Sequence, residues 1–315
     1  MRQKVNKSKV FAIVDIGSVA IRFEIYTTNI SESRPISSSY KLIHAERLLP
    51  KLGNLDLKNN ISKESTVEAC RFLEKISRKL KSIDYDKVIA VGTAVFRDAS
   101  NSESTIALLE KSLEQKITVL SSNDEARIIA EGITNFEKNL PDSYLLLDIG
   151  GRSSETSHVK SKQIVNSFSF NLGAISIRNA FFKDNKPTVE EIAQTRLFLR
   201  KQFSIYNEIF KDKSPTVVGS SGTLRMLGRF HKHINPKQKL IEKKFSHDIF
   251  EILDDPTNKH AKELFELEKN RTELVFSGII IIQEFLNCYN INEIKISNYS
   301  LRHGLLSKYS EELRP

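Results

Sequence analysis

Cysteine is scarce in this chain: of 315 residues only Cys70 and Cys288 carry thiols, and neither sits in a CxxC or CxxH spacing. That excludes a disulfide framework and a zinc site of the usual cysteine pattern, and it suits a reducing compartment. Two buried structural thiols are expected. Long apolar runs are equally missing. The stretch 10–14, behind the basic segment MRQKVNKSK, is stopped by Asp15, too soon for the apolar region of a secretory signal. The later run Gly278-Ile279-Ile280-Ile281-Ile282 is too short to span a bilayer. No GxxxxGKS/T, GxGxxG or GxSxG pattern occurs, which removes the P-loop, Rossmann and serine-hydrolase readings. A soluble, cytoplasmic protein with no membrane partner is expected.

What is present is ordinary globular material, 39% hydrophobic and 28% charged, long enough for two domains. We expect domains at 1–132 and 133–315, the last residues packing back on the first. The net charge of +9 draws polyanions by long-range steering. Lysine dispersed through helices is an equally ordinary source of that excess, so charge alone names no partner and indicates no specific nucleic acid.

Alternating β-branched and aromatic residues over 10–29 predict two strands joined at Gly17-Ser18. Helical spacing follows over 62–83 and 102–114, with strands at 87–92 and 117–121. A helix opens near Asn123, its expected N-cap. The strand from Tyr144 runs into Asp148-Ile149-Gly150-Gly151, and here the chain repeats itself. FAIVDIGSVAIRFEIY and YLLLDIGGRSSETSHV share a strand, Asp-Ile-Gly, a small-residue turn and a return strand, with Asp15 and Asp148 starting the two motifs. A third turn, Gly219-Ser220-Ser221-Gly222-Thr223, follows a strand at 216–218. The charged stretch 236–270, broken at Pro256, reads as a solvated helical region.

A strand ending in Asp-x-Gly suits phosphate chemistry. Glycine tolerates positive φ and lets phosphate oxygens approach bare N–H groups, so the turns carrying Ser18, Gly150, Gly151, Arg152, Ser153, Ser221 and Gly222 are candidate phosphate contacts. Asp15 and Asp148 offer hard oxygen ligands for Mg²⁺, and Glu155 on the return strand completes a carboxylate pair; turn capping is the bland alternative. Glu125, in a first helical turn, can take a proton from an attacking water or merely complement the helix dipole. Arg22, Arg97, Arg127, Arg271 and Arg302 lie at motif edges. Guanidinium binds phosphate through two parallel hydrogen bonds, and Arg97 is the best placed. His231 and His233 are two apart on a helix and point different ways, so no histidine metal set is expected.

The ordered motifs DIGSVAIR (15–22), GTAVFRDA (92–99), NDEAR (123–127), DIGGRSSE (148–155), GSSGT (219–223), NRTEL (270–274) and SNYSLRHGLL (297–306) resemble the exopolyphosphatase and guanosine pentaphosphate phosphohydrolase family, over about 10–306. The resemblance implies an α/β fold. Two ribonuclease-H-like domains of the actin, hexokinase and heat-shock chaperone superfamily would lie around a central cleft, in the short two-domain form. It implies Mg²⁺-dependent release of terminal phosphate from polyphosphate or guanosine pentaphosphate, polyphosphate or guanosine penta- or tetraphosphate as the bound partner, and a homodimer. By motif, Glu125 becomes the general base and Asp148 and Glu155 the metal ligands. Arg97, Gly150, Gly151 and Ser153 become phosphate contacts. The departures are Val19 and Ala20 for a polar pair, Arg152 for a third glycine, and Ser300 and His303 for a glycine and a glutamate. Arg152 either adds a phosphate contact or distorts its loop through intolerance of positive φ. A non-catalytic polyphosphate or guanosine-phosphate sensor, an ATP-dependent kinase and an actin-like scaffold remain as alternatives.

Overall fold

The computed structural model describes residues 9–28, 39–206, 216–238 and 240–311. The chain divides into two compact units, Met1–Glu137 with Leu301–Pro315, and Lys138–Ser300.

In the first unit the apolar run FAIVDI makes β1 (Lys9–Ile16), buried along nearly its whole length as a central strand covered on both faces must be. It pairs antiparallel with β2 (Ile21–Thr28), and β2 with β3 (Tyr40–Leu48). After α1 (Lys63–Lys81), β4 (Lys87–Gly92) lies parallel to β1. Then come α2 (Ala94–Asp98), α3 (Ser102–Leu113), β5 (Thr118–Val119) and α4 (Ser122–Phe136). The sheet order is β3-β2-β1-β4-β5. Ala12, Val14 and Ile16 pack with Leu73, Ile76 and Leu80 of α1 and Leu109 and Leu113 of α3. The alternate side chains, led by Phe11, face Tyr40, whose ring reaches Phe136 of α4. The cap of α4 is Ser121, not the expected Asn123. Ser121 keeps the extended backbone an N-cap needs and its hydroxyl accepts from Asp124 N at 3.1 Å, whereas Asn123 is already helical.

In the second unit β6 (Ser143–Ile149), β7 (Ser154–Lys160) and β8 (Gln163–Phe170) form an antiparallel meander. There follow α5 (Ala174–Phe181), α6 (Val189–Ser204), β9 (Thr216–Ser220), α7 (Ser221–Ile234), β10 (Ile241–Glu242), α8 (Lys243–Asp254), α9 (Lys259–Leu267), α10 (Val275–Cys288) and β11 (Glu293–Ile296). The sheet order is β10-β11-β9-β6-β7-β8. Taken from β8, the series β8-β7-β6-β9-β11 repeats the order of the first sheet, with β10 added at the edge. These are the two related halves the sequence repeat implied, in the α/β form expected from the family resemblance. Leu145, Leu147 and Ile149 pack with Leu224, Leu227 and Phe230 of α7 and with Ile279, Ile280 and Phe285 of α10. The isoleucine run is thus a buried helix, and no described helix is long and apolar enough to cross a membrane. Residues 236–270 correct the solvated reading. Phe245, Ile249, Leu253, Ala261 and Leu264 are buried, and charge on the outer faces of α8 and α9 masks their helical period. Cys70 and Cys288 are free but only half-buried.

The last described helix, α11 (Leu301–Glu311), belongs to the first unit and packs on α4. Its approach is so close that a Cβ on Gly304 would overlap the Ile128 carbonyl oxygen. Arg302 is buried beside two acids, with Nη1 3.2 Å from Asp15 Oδ2 and Nε 2.7 Å from Glu24 Oε2. The Tyr26 hydroxyl also donates to Glu24 at 2.5 Å. Burial by itself would raise the Glu24 pKa, but the Arg302 charge and hydrogen bond outweigh it and hold Glu24 below its ordinary 4.5. Burial likewise works against the Arg302 charge, and Glu24 and Asp15 overcome it, raising that pKa.

Two outcomes are expected. Alanine normally gains up to about 1 kcal/mol over glycine inside a helix, but overpacking costs roughly 1–3 kcal/mol and here the obstacle is backbone. Gly304→Ala should therefore lower the urea midpoint of the first unit; an unchanged or higher midpoint would refute the close-approach argument. Because the folded Glu24 pKa is depressed, its stabilisation is present above the unfolded value and is lost as pH falls through the folded one. Glu24→Gln should accordingly be less stable than wild type at neutral pH, with the gap closing below pH 4.5. Denaturant titrations across that range would show a constant gap if the pairing were immaterial.

Candidate active site

The two sequence motifs form the same hairpin. Asp15 pairs opposite Arg22 and Ile16 opposite Ile21; Asp148 pairs opposite Glu155 and Ile149 opposite Ser154. Each encloses a four-residue loop closed by one hydrogen bond, Gly17 N to Ala20 O at 3.0 Å and Gly150 N to Ser153 O at 2.9 Å. The chain beyond the third strand then braces each loop through its carbonyls. Gly53 N donates to Ser18 O at 2.8 Å, and Ile175 N donates to Gly151 O at 2.7 Å. Gly173 lies so near that a Cβ there would stand 2.5 Å from the Gly151 carbonyl carbon.

No described glycine has a positive φ, and Arg152 does not have one either. Space, not left-handed backbone, therefore explains Gly150, whose added Cβ would lie 3.0 Å from Ser153 O. Arg152 sits in its loop without the strain expected of it.

Residues directly opposite on paired strands share a face, and here the two hairpins part. In the first, Asp15 meets guanidinium groups, Arg22 at 3.7 Å and Arg302 at 3.2 Å. In the second, Asp148 faces another acid. Glu155 is 1% exposed and Asp148 8%. The Ser220 hydroxyl donates to Asp148 and the Ser169 hydroxyl to Glu155 Oε1, the latter at 2.9 Å. Neighbouring hydroxyls are spent on backbone, Ser154 on Leu172 O and Thr156 on Leu146 O. Two opposed carboxylates with two hydroxyls are a hard-oxygen donor set, and they fit a divalent cation such as Mg²⁺. The pairing of Asp15 with two arginines does not.

The third turn lies next to this pair, since Ser220 at the end of β9 is in register with Asp148. Ser221 takes φ 75, a left-handed backbone that costs a non-glycine residue about 1–3 kcal/mol and tends to occur at functional sites. The Thr223 hydroxyl donates to Ile149 O at 3.1 Å, and Gly278 of α10 leaves room for the Thr223 methyl. Arg271 lies directly over Gly222 and donates to its carbonyl at 3.3 Å. Its other bonds go to Glu268, 4% exposed, which also takes Arg229 Nε at 2.7 Å. Glu268 belongs to no sequence motif, and its spacing of three from Arg271 is the one local sign of the pair.

Glu125 lies in the first turn of α4, 6% exposed. Arg97, from the last turn of α2, donates through Nη1 to Glu125 Oε2 at 2.7 Å and to Leu120 O at 2.9 Å. Arg127 stays on the surface near Asp124 and Glu131. Within the first unit the structure thus brings Glu125 to Arg97, and Asp15 to Arg22 and Arg302. Within the second it gathers Asp148, Glu155, the 150–153 loop and the Ser221 turn.

Comparison with known proteins places the chain in a family. The model of the Ppx/GppA phosphatase family matches residues 31–313. A guanosine-5'-triphosphate,3'-diphosphate pyrophosphatase of Pseudoalteromonas translucida is 26% identical over 99% of this chain. A bifunctional 3-dehydroquinate synthase/phosphatase of Fusobacterium nucleatum is 26% identical over 91%. The chain spans 62% and 44% of the lengths of these two curated relatives. The crystal structure of an exopolyphosphatase from Cytophaga hutchinsonii is similar in fold, with a TM-score of 0.83 at 21% identity, covering 97% of this chain and 99% of that one.

The opposed acids generate a prediction. Like charges directly across a sheet destabilise by roughly 0.2–1 kcal/mol when exposed, and more when buried. In metal-free buffer Glu155→Gln should melt higher than wild type, by about 2–4 °C per kcal/mol relieved. Added Mg²⁺ should raise the wild-type midpoint and leave the variant unmoved. Equal midpoints, or an equal Mg²⁺ response, would show that the two acids do not share a cation.

Proposed function

We propose that this chain, which belongs to the Ppx/GppA phosphatase family, hydrolyses the terminal phosphoanhydride of a linear polyphosphorylated substrate, inorganic polyphosphate or guanosine pentaphosphate. The observation that carries the reading is the in-register pair Asp148 and Glu155 beside the braced 150–153 loop. Asp148 and Glu155 would hold Mg²⁺, which when bound supplies positive charge to phosphate oxygens.

The other roles follow from what each side chain touches. Glu125 orients a water and accepts its proton as the water oxygen bonds to the terminal phosphorus. The bond from phosphorus to the bridging oxygen breaks, and the shortened chain leaves with the electron pair. Arg97 fixes the Glu125 carboxylate and lends its charge to the terminal phosphoryl group. Ser18, Gly150, Gly151, Arg152, Ser153, Ser221 and Gly222 supply hydrogen bonds that hold the phosphate chain. Arg22 and Arg271 are left out of that set because Asp15 and Glu268 claim them, and Asp15 is left out of the metal set for the same reason. The closure of the 17–20 loop despite Val19 and Ala20, and the unstrained Arg152, favour a working hydrolase over a sensor that has lost turnover.

The test is phosphate release from long-chain polyphosphate and from guanosine pentaphosphate with Mg²⁺. Loss of a general base typically costs about 10²–10⁴-fold in rate, so Glu125→Gln should fall by that much on whichever substrate wild type cleaves, while still binding it. Release from neither substrate would sink the proposal, as would a variant that matches wild type.

A further inference from the structure

The sequence offered no histidine metal set, but the fold assembles one away from the residues described above. His233 stands in the last turn of α7; His260 and Glu263 are three apart on α9, where side chains at that spacing share a face. His233 Nε2 is 2.8 Å from Glu263 Oε2, and His260 Nδ1 is 3.1 Å from the same oxygen. The three ligand atoms all lie within 4.8 Å of one another. The two rings are 6.1 Å apart and near perpendicular at 81°. Neighbouring ligands on a tetrahedral zinc ion, at bonds of about 2.0–2.1 Å, are about 3.3 Å apart. Both nitrogen–oxygen separations are already close to that, and small rotations of exposed side chains would complete the set.

We infer that His233, His260 and Glu263 form a zinc-class transition-metal site on the surface of the second unit. Two imidazoles with one carboxylate select zinc and its neighbours over Mg²⁺, which prefers oxygen, so this site and the Asp148–Glu155 pair would take different metals. The helix that carries the two α9 ligands is well anchored. Asn258 caps α9 at 3.0 Å from His260 N, and Ala261 and Leu264 are buried beneath. The metal would clip α9 to the end of α7. Glu268, which follows α9, already ties to Arg229 of α7, so the clip would tighten an existing junction.

The test is zinc titration of the tag-free, chelator-treated chain in excess Mg²⁺, read by calorimetry, with Co²⁺ absorption reporting nitrogen ligation. One zinc per chain is expected, with affinity lowered at least about tenfold in His233→Ala and in His260→Ala and kept in Glu155→Gln. Circular dichroism should show all three variants folded, since the two histidines are solvent-accessible and Glu155→Gln keeps the size of the side chain. Absence of zinc binding by wild type would overturn the inference. Binding that survives both histidine variants, or that is lost only in Glu155→Gln, would overturn it equally by assigning the metal elsewhere.

Discussion

Two carboxylates held opposite each other on adjacent buried strands cannot both keep their charge without a cation between or beside them. The chain places an acid at equivalent positions of a duplicated hairpin and sets a different residue opposite it in each copy. In the first unit the partner of Asp15 is Arg22, reinforced by Arg302, so the charge is neutralised within the protein. In the second the residue opposite Asp148 is Glu155, a second acid. The two copies of the hairpin thus carry different charge pairs, acid with base in the first and acid with acid in the second. The strained Ser221 and the hydroxyls of Ser169 and Ser220 are arranged about the second.

The surrounding fold keeps that arrangement rigid. Carbonyls of both loops are taken up by the chain that follows the third strand, which fixes the loops independently of any ligand. Preorganised dipoles of this kind need not rearrange when charge develops on a substrate. Buried acids elsewhere are matched internally: Glu284, fully buried in α10, meets Arg196 and Arg200 of α6, and Glu268 meets Arg229 and Arg271. Against that pattern, an acid paired with an acid stands out.

Much of this was legible before any coordinates. The repeat of Asp-Ile-Gly at a fixed offset gave the two halves, because a strand, a tight turn and a return strand leave a strong local pattern. Motif order singles out Glu125, Asp148 and Glu155, and the structure places all three in buried positions. What could not be read was which arginines were already spoken for. Arg22 and Arg271 look like phosphate ligands in sequence, and only the register of β1 with β2 and the position of Glu268 show their partners. The positive-φ argument for the glycines also failed, since the tight positions are crowded and the left-handed residue is Ser221. The His233–His260–Glu263 cluster joins two helices separated by α8, a contact that no local spacing announces.

The return of α11 to the first unit makes that unit discontinuous along the chain, with all of the second unit inserted before its last piece. On a ribosome the order of completion is then reversed. The half that emerges first is finished last, and Glu24 emerges some 280 residues ahead of Arg302, whereas Asp15 has Arg22 close by in the chain. Until α11 arrives the nascent first sheet carries Glu24 without the Arg302 guanidinium, and α4 lacks the helix that packs on it. The inserted unit, by contrast, needs nothing downstream of β11. Its hairpin of opposed acids can be set before the other half has closed.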